Sequence, residues 1–388
     1  MLVCASTLRL VYCALAPPSY DLQDIATYQS SQIPVGPWTF LYIPLHVPSL
    51  SNDTLVAEWA SAPPAASPYF MALSLTFRLL IFFFDIATMA AVYYLAKRLS
   101  TPEKAKLAAL VWILNPFTLF AVEFLAVPDV AVTFLTVVAI YMLISNRGFL
   151  CGLFLGMGVF FKFFPILLLP ICLLIAPSYG ISRKSKVAIL CCGLIGLIGY
   201  LSWVLPPEYT FENLATYYPV TQLLPFVGDS GSWINGPSII MILFYCVFGI
   251  LFKKSKGVII TGPLLLTLLA YYALTATNPY PNPYPQELVW ALPFISLDTA
   301  FEGGSRALLL VFTYGLAFAQ SFLSSSLITA SGYTPFLIRI GGTRLGDFLQ
   351  GNLVKELLLP LVSSALFAAF LIYAVEIVRT WYRPERST

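Results

Sequence analysis

This sequence has little charge. Only 10% of its 388 residues are Asp, Glu, Lys or Arg, while 59% are hydrophobic. An ordinary soluble domain carries about 25% charged residues, so a water-facing globule fits poorly. Histidine occurs once, at His46, which argues against a zinc site built on imidazoles. No CxxC pair occurs. The cysteines, at 4, 13, 151, 172, 191, 192 and 246, all fall within or beside apolar runs, so no external disulfide framework is implied. There is no G-x-x-x-x-G-K-[ST] and no G-x-G-x-x-G set between a strand and a helix. Nucleotide-driven transport and dinucleotide chemistry therefore lack support. Alternating ten-residue strands are missing too, which excludes a transmembrane β-barrel.

What is present is a series of continuous apolar runs. They lie at about 2–16, 70–96, 107–123, 130–145, 149–161, 163–176, 187–205, 238–252, 258–277, 287–298, 307–323 and 354–378. The expected fold is an all-α polytopic membrane protein, forming a single integral membrane domain over residues 1–388. Runs of 12–15 residues are too short to cross about 30 Å of hydrocarbon. Hence we expect about 10–13 transmembrane or re-entrant helices. Pro116, Pro165 and Pro170 interrupt apolar runs and predict broken or kinked helices. Ala14-Leu15-Ala16 matches a small-residue cleavage pattern. However, no Lys or Arg precedes the first run and Arg9 sits within it, so the run is read as a retained span.

Charge sets the orientation. With a cytoplasmic N-terminus, the short cytoplasmic loops hold Lys97, Arg98, Lys104, Lys106, Arg147, Arg183, Lys184, Lys186, Lys253, Lys254, Lys256 and Arg306, and the C-terminal tail holds Arg379, Arg383 and Arg386. These are most of the 21 basic residues, as the positive-inside rule requires. Most acids fall on the other side. So do the long loops at about 17–69, 206–237, 278–286 and 324–353, which are rich in Pro, Tyr and Trp. Long loops commonly carry function, so the working face is read as external or lumenal. No basic patch of nucleic-acid character lies there, so no nucleic-acid partner is expected.

Several carboxylates mark that face. Asp21 and Asp24, in PSYDLQDIATYQ, are one helical turn apart at the mouth of the first span, with Tyr28 one turn further on. A carboxylate at a membrane boundary can serve as a general base or help hold a divalent cation. A solvated loop with a helix cap explains the same spacing. Glu123 and Asp129 sit at the external end of NPFTLFAVEFLAVPD, after Asn115-Pro116. Asp85 lies in the middle of an apolar run. Such residues are costly in lipid and face a polar interior. Arg78, two turns earlier on the same face, is its expected partner in an ion pair.

Cations and aromatics complete the set. Lys162 stands between two apolar runs in GMGVFFKFFPILLLP. A lysine there either snorkels to water or meets a lipid phosphate as a compact charge. Arg339 and Arg344, in FLIRIGGTRLGDF, can join it. Gln286, Glu287 and Trp290 lie at the end of the Pro/Tyr loop that leads into a late span. A tryptophan there anchors at the interface, or its flat face stacks on a sugar.

These pieces, in this order, resemble the GT-C glycosyltransferases that use polyprenyl-phosphate sugars. Among them, the pattern is similar to the catalytic subunits of GPI mannosyltransferase I and the prokaryotic polyprenyl-phosphate-mannose-dependent mannosyltransferases. The matching segments are D-I-A-T-Y at 24–28, PVGPWTFLYIPL at 34–45, FFFD ending at Asp85, and LNPF followed by Asp129. GLFLGMGVFFKFFPILLLP and PQELVWALPF complete them. Together they span about residues 5–300. The resemblance implies a GT-C-like fold and a mannosyltransferase. It makes Asp24 the catalytic base, with Asp21 as the lesser choice, and turns Lys162 toward the donor phosphate. It implies a membrane lipid environment, a polyprenyl-phosphate sugar donor, a glycolipid or glycan acceptor, and room for a small membrane subunit. No cofactor is required beyond a possible divalent cation. The location would be the cell membrane in a prokaryote or the endoplasmic reticulum membrane in a eukaryote. Two other readings stand beside it: a non-catalytic scaffold subunit of similar fold, as in GPI transamidase, and a transporter with Asp85 and Arg78 in its pathway.

Overall fold

A computed structural model of the chain describes residues 2–15, 68–119, 122, 128–162, 164–204 and 289–302. It also describes parts of 304–319 and 361–379, and residues 339–340 and 343–344. The described chain is helical apart from one two-residue antiparallel hairpin, β1 (Arg339–Ile340) with β2 (Thr343–Arg344). The main helices are α1 (Leu2–Leu15), α2 (Pro68–Leu99), α3 (Pro102–Leu114), α4 (Asp129–Ile144), α5 (Gly148–Phe161), α6 (Leu169–Ile175), α7 (Arg183–Val204) and α8 (Leu292–Glu302).

The helix boundaries follow local chemistry. α3 starts where Thr101 caps the Lys104 N–H and Pro102 takes the first turn. There a missing N–H costs nothing and the fixed φ suits a helix. It ends at Asn115, whose backbone is extended (φ −66°, ψ 120°) because Pro116 follows and disfavours helical geometry before it. The Asn115 side chain then accepts from the Phe117 N–H at 2.9 Å and starts a new single turn, Pro116–Thr118. The break expected at Pro116 is therefore present. The stretch around Pro165 and Pro170 is broken too, into a 3₁₀ turn (Phe164–Leu168), α6 and a second 3₁₀ turn (Ala176–Tyr179).

α2 packs on α1, α3 and α4, α4 packs on α5, and α8 packs on α3 and α2. The α5–α7 contact is the most extensive, and glycine makes it possible. A Cβ at Gly196 would run into the Gly156 carbonyl. One at Gly152 would lie 2.8 Å from the Ile189 Cα. Backbone thus meets backbone along this seam, the approach that small residues allow. Two helical stretches, Arg78–Leu99 and Arg183–Ser202, are long and apolar enough to cross a membrane. Only 33% and 17% of their most apolar windows is buried, and Phe83, Ile195 and Ile198 are among the exposed side chains.

Asp21, Asp24, Tyr28, Glu123, Gln286 and Glu287 lie outside the described residues, as do residues 16–67 and 205–288, which include the expected spans at 238–252 and 258–277.

Candidate functional site

Three of the expected site residues come together from distant parts of the chain. Asp129 is the first residue of α4, Lys162 directly follows α5, and Trp290 lies just before α8. The ends of three helices therefore build one small polar centre in an apolar bundle.

Sequence explains each position. Pro165 has no N–H to continue the α5 hydrogen-bond ladder. The chain leaves the helix at Lys162, which is extended at φ −156°, ψ 137°. Gly158 leaves room for the proline; a Cβ there would sit 3.2 Å from Pro165 Cγ. Asp129 stands at a helix N-terminus, where the helix dipole favours a negative charge. Its carbonyl accepts from Thr133 Oγ1 at 2.8 Å, inside the same helix.

The geometry is tight. Asp129 Oδ1 accepts from Lys162 Nζ at 2.7 Å and from Trp290 Nε1 at 2.6 Å. Asp129 is 4% exposed and Lys162 26%. The ammonium also lies over the indole, 4.9 Å from its centroid, a contact of about 0.5–2 kcal/mol. Phe164 stacks on the indole with centroids 4.0 Å apart and planes 7° from parallel. Trp290 is thereby buried among Val132, Phe161 and Phe164. In this arrangement the indole holds the carboxylate and backs the cation; its ring is not open to stack on a sugar. Asp129 Oδ2, by contrast, has no hydrogen-bond donor among the described residues.

A second polar centre lies around Asp85. The expected Arg78–Asp85 pair does not form. Asp85 Oδ2 receives Arg9 Nη1 at 2.9 Å, and Oδ1 receives Trp112 Nε1 at 2.8 Å. Arg9 also donates through Nε to the Ile113 carbonyl at 2.8 Å, through Nη2 to the Trp112 carbonyl at 3.3 Å, and to Thr118 Oγ1. The Trp112 and Ile113 carbonyls lie in the last turn of α3, ahead of the Asn115-Pro116 break. α1 brings Arg9 to them, and heptad spacing within α2 brings Arg78 to neither. Arg78 is itself buried. Arg9, Trp112 and Thr118 are the residues that sequence reasoning missed. Their signal was Arg9 itself, a cation in an apolar run that calls for an anion at similar depth.

The other end of the bundle is basic. Lys97 and Arg98 close α2, and Lys104 Nζ binds the Phe301 carbonyl at the end of α8 at 2.9 Å. Along α8 this lies about 16 Å from the Trp290 end. Nearby, Asp298 and Tyr373 share a buried hydrogen bond of 3.0 Å. An apolar cavity of about 580 Å³ runs along α3 and α8, lined by Leu107, Leu110, Ile295 and Thr299 among others. At the hairpin, Arg339 and Arg344 are register partners. Among the described residues, no cluster of His, Cys, Asp or Glu could hold a metal ion.

No family model, curated protein or solved structure matches the chain.

Proposed function

We propose that the chain is a multi-pass membrane glycosyltransferase of GT-C type. It moves a sugar, mannose by resemblance, from a polyprenyl phosphate to a lipid-linked or glycan acceptor at the external or lumenal face. The observation that carries this reading is Lys162, a cation fixed at the end of an apolar bundle by Asp129 at 2.7 Å and backed by Trp290. The bundle end that holds it is the one the positive-inside rule assigns to the outside. An ammonium so placed suits a phosphate that stays anchored in the membrane by its lipid.

In this reading Asp24, outside the described residues, takes the proton of the acceptor hydroxyl. That oxygen attacks the anomeric carbon, the bond from that carbon to the phosphate oxygen breaks, and polyprenyl phosphate leaves with inversion. Lys162 balances the charge that grows on the leaving phosphate. Arg339 and Arg344 are further candidates for the phosphate, and Asp129 Oδ2 accepts from a sugar hydroxyl. Tyr28, Glu123, Gln286 and Glu287, outside the described residues, are the remaining candidates for substrate contact. A transporter fits less well. Both oxygens of Asp85 are taken by Arg9 and Trp112, which makes that acid a brace between helices.

The test is transfer by the purified, bilayer-reconstituted protein from polyprenyl-phosphate-mannose to a panel of glycolipid acceptors. Wild type transfers, and Asp24→Asn loses activity by about 100-fold or more, the scale of a lost general base. Donor binding without transfer to any acceptor favours the scaffold reading. Transfer that is unchanged in Asp24→Asn removes Asp24 from the mechanism.

A further inference from the structure

We infer that Asp129 is an internal competitor for the donor phosphate. Phosphate binding would exchange one anion for another on the Lys162 ammonium. This rests on the reading of Lys162 as the phosphate-binding cation. Without donor, the ammonium is held at 2.7 Å by a carboxylate that is 4% exposed. The pair neutralises itself in a site largely closed to water. An arriving phosphate brings a second negative charge to the ammonium that Asp129 already holds. Two anions within about 4–6 Å of each other disfavour one another, so the phosphate competes with the carboxylate for the ammonium.

The local structure favours exchange over sharing. Asp129 is fixed: it begins a helix, its Oδ1 keeps the Trp290 N–H at 2.6 Å, and its residue is buried. Lys162 is the adaptable partner. It stands in extended backbone past the last turn of α5, and its side chain is 26% exposed. Its long stem lets the charged head swing toward the surface. The swing also withdraws a positive charge from 4.9 Å above the indole. It leaves Asp129 with Oδ1 relieved of one donor and Oδ2 open to a hydroxyl of the incoming sugar. The latch thus keeps the cation neutralised until a phosphate arrives, and readies the carboxylate only then.

The probe is farnesyl phosphate, titrated into full-length protein in nanodiscs. Asp129→Asn, which removes the competing charge but keeps the side-chain size, should bind it more tightly than wild type. The expected gain is about fivefold, the scale of one partly exposed ion pair. Equal or weaker binding by Asp129→Asn overturns the exchange while leaving Lys162 as a phosphate site. No binding by wild type overturns the exchange together with the reading beneath it. Should Asp129→Asn fail to fold, wild-type fluorescence decides. Saturating farnesyl phosphate must shift the emission lost in Trp290→Phe, because the cation near that ring has moved. Binding with unchanged Trp290 emission overturns the proposal.

Discussion

Removing either partner of the Arg9–Asp85 pair should cost more than removing both. The pair is 2% and 0% exposed, and its contacts cross three helices. Arg9→Met leaves a buried carboxylate whose remaining bond is the Trp112 indole. Asp85→Leu leaves a buried guanidinium whose hydrogen bonds among the described residues go to the Ile113 and Trp112 carbonyls and Thr118. Breaking a buried pair in this way costs about 3–5 kcal/mol. Asp85→Leu also strands the Trp112 N–H, which adds about 1–3 kcal/mol. The double variant removes both charges of the pair. Its main cost is the stranded indole, again about 1–3 kcal/mol. The double should therefore be more stable than either single by a few kcal/mol. Equilibrium unfolding by SDS titration from mixed micelles, in all four proteins, measures this. Additive losses, or singles within 1 kcal/mol of wild type, would refute the network as a coupled buried unit.

Gly196→Ala should destabilise the α5–α7 seam by about 1–3 kcal/mol through overpacking. Gly315→Ala, which meets nothing within 4 Å, should leave the same melting curve unchanged or slightly raised. The Asn52-Asp53-Thr54 sequon should be glycosylated in a eukaryotic host, whereas a sequon engineered at Lys254 should not; the reverse pattern on a gel overturns the orientation. Burial pushes the Tyr179 hydroxyl up from 10.0 to about 12. Unfolded chain therefore ionises first, and stability that is constant below pH 10 should fall as pH rises through that window. Tyr179→Phe should flatten this alkaline slope in thermal melts.

Elements were more legible in the sequence than contacts. Apolar runs located α2, α4, α5 and α7 to within a few residues, because an apolar stretch of that length has few other stable forms. Asn115-Pro116 and Pro165 marked real breaks, since proline's missing N–H acts locally. Lys162, Asp129 and Trp290 were each visible as polar groups at apolar boundaries. Their convergence was not, because it depends on how three helix ends meet across 33 and 161 residues of separation. The Asp85 partner was misread for the same reason. A same-helix neighbour seven residues away was expected, but the cation comes from α1, 76 residues distant. Trp290, which the sequence leaves open as an interface anchor or a sugar platform, has its ring stacked on Phe164. A periodicity argument sees one helix at a time and cannot rank partners from other helices.

The central claim is that Lys162 receives the phosphate of a lipid-linked sugar donor. Direct binding of polyprenyl-phosphate-mannose to the reconstituted protein, wild type against Lys162→Met, tests it. The substitution keeps the stem and removes the charge. A charged hydrogen bond to phosphate contributes about 1.5–3 kcal/mol, so affinity should fall by about 10- to 150-fold, measured at a temperature where melting shows both proteins folded. Equal affinity in the two proteins, or no donor binding by wild type, would contradict the account.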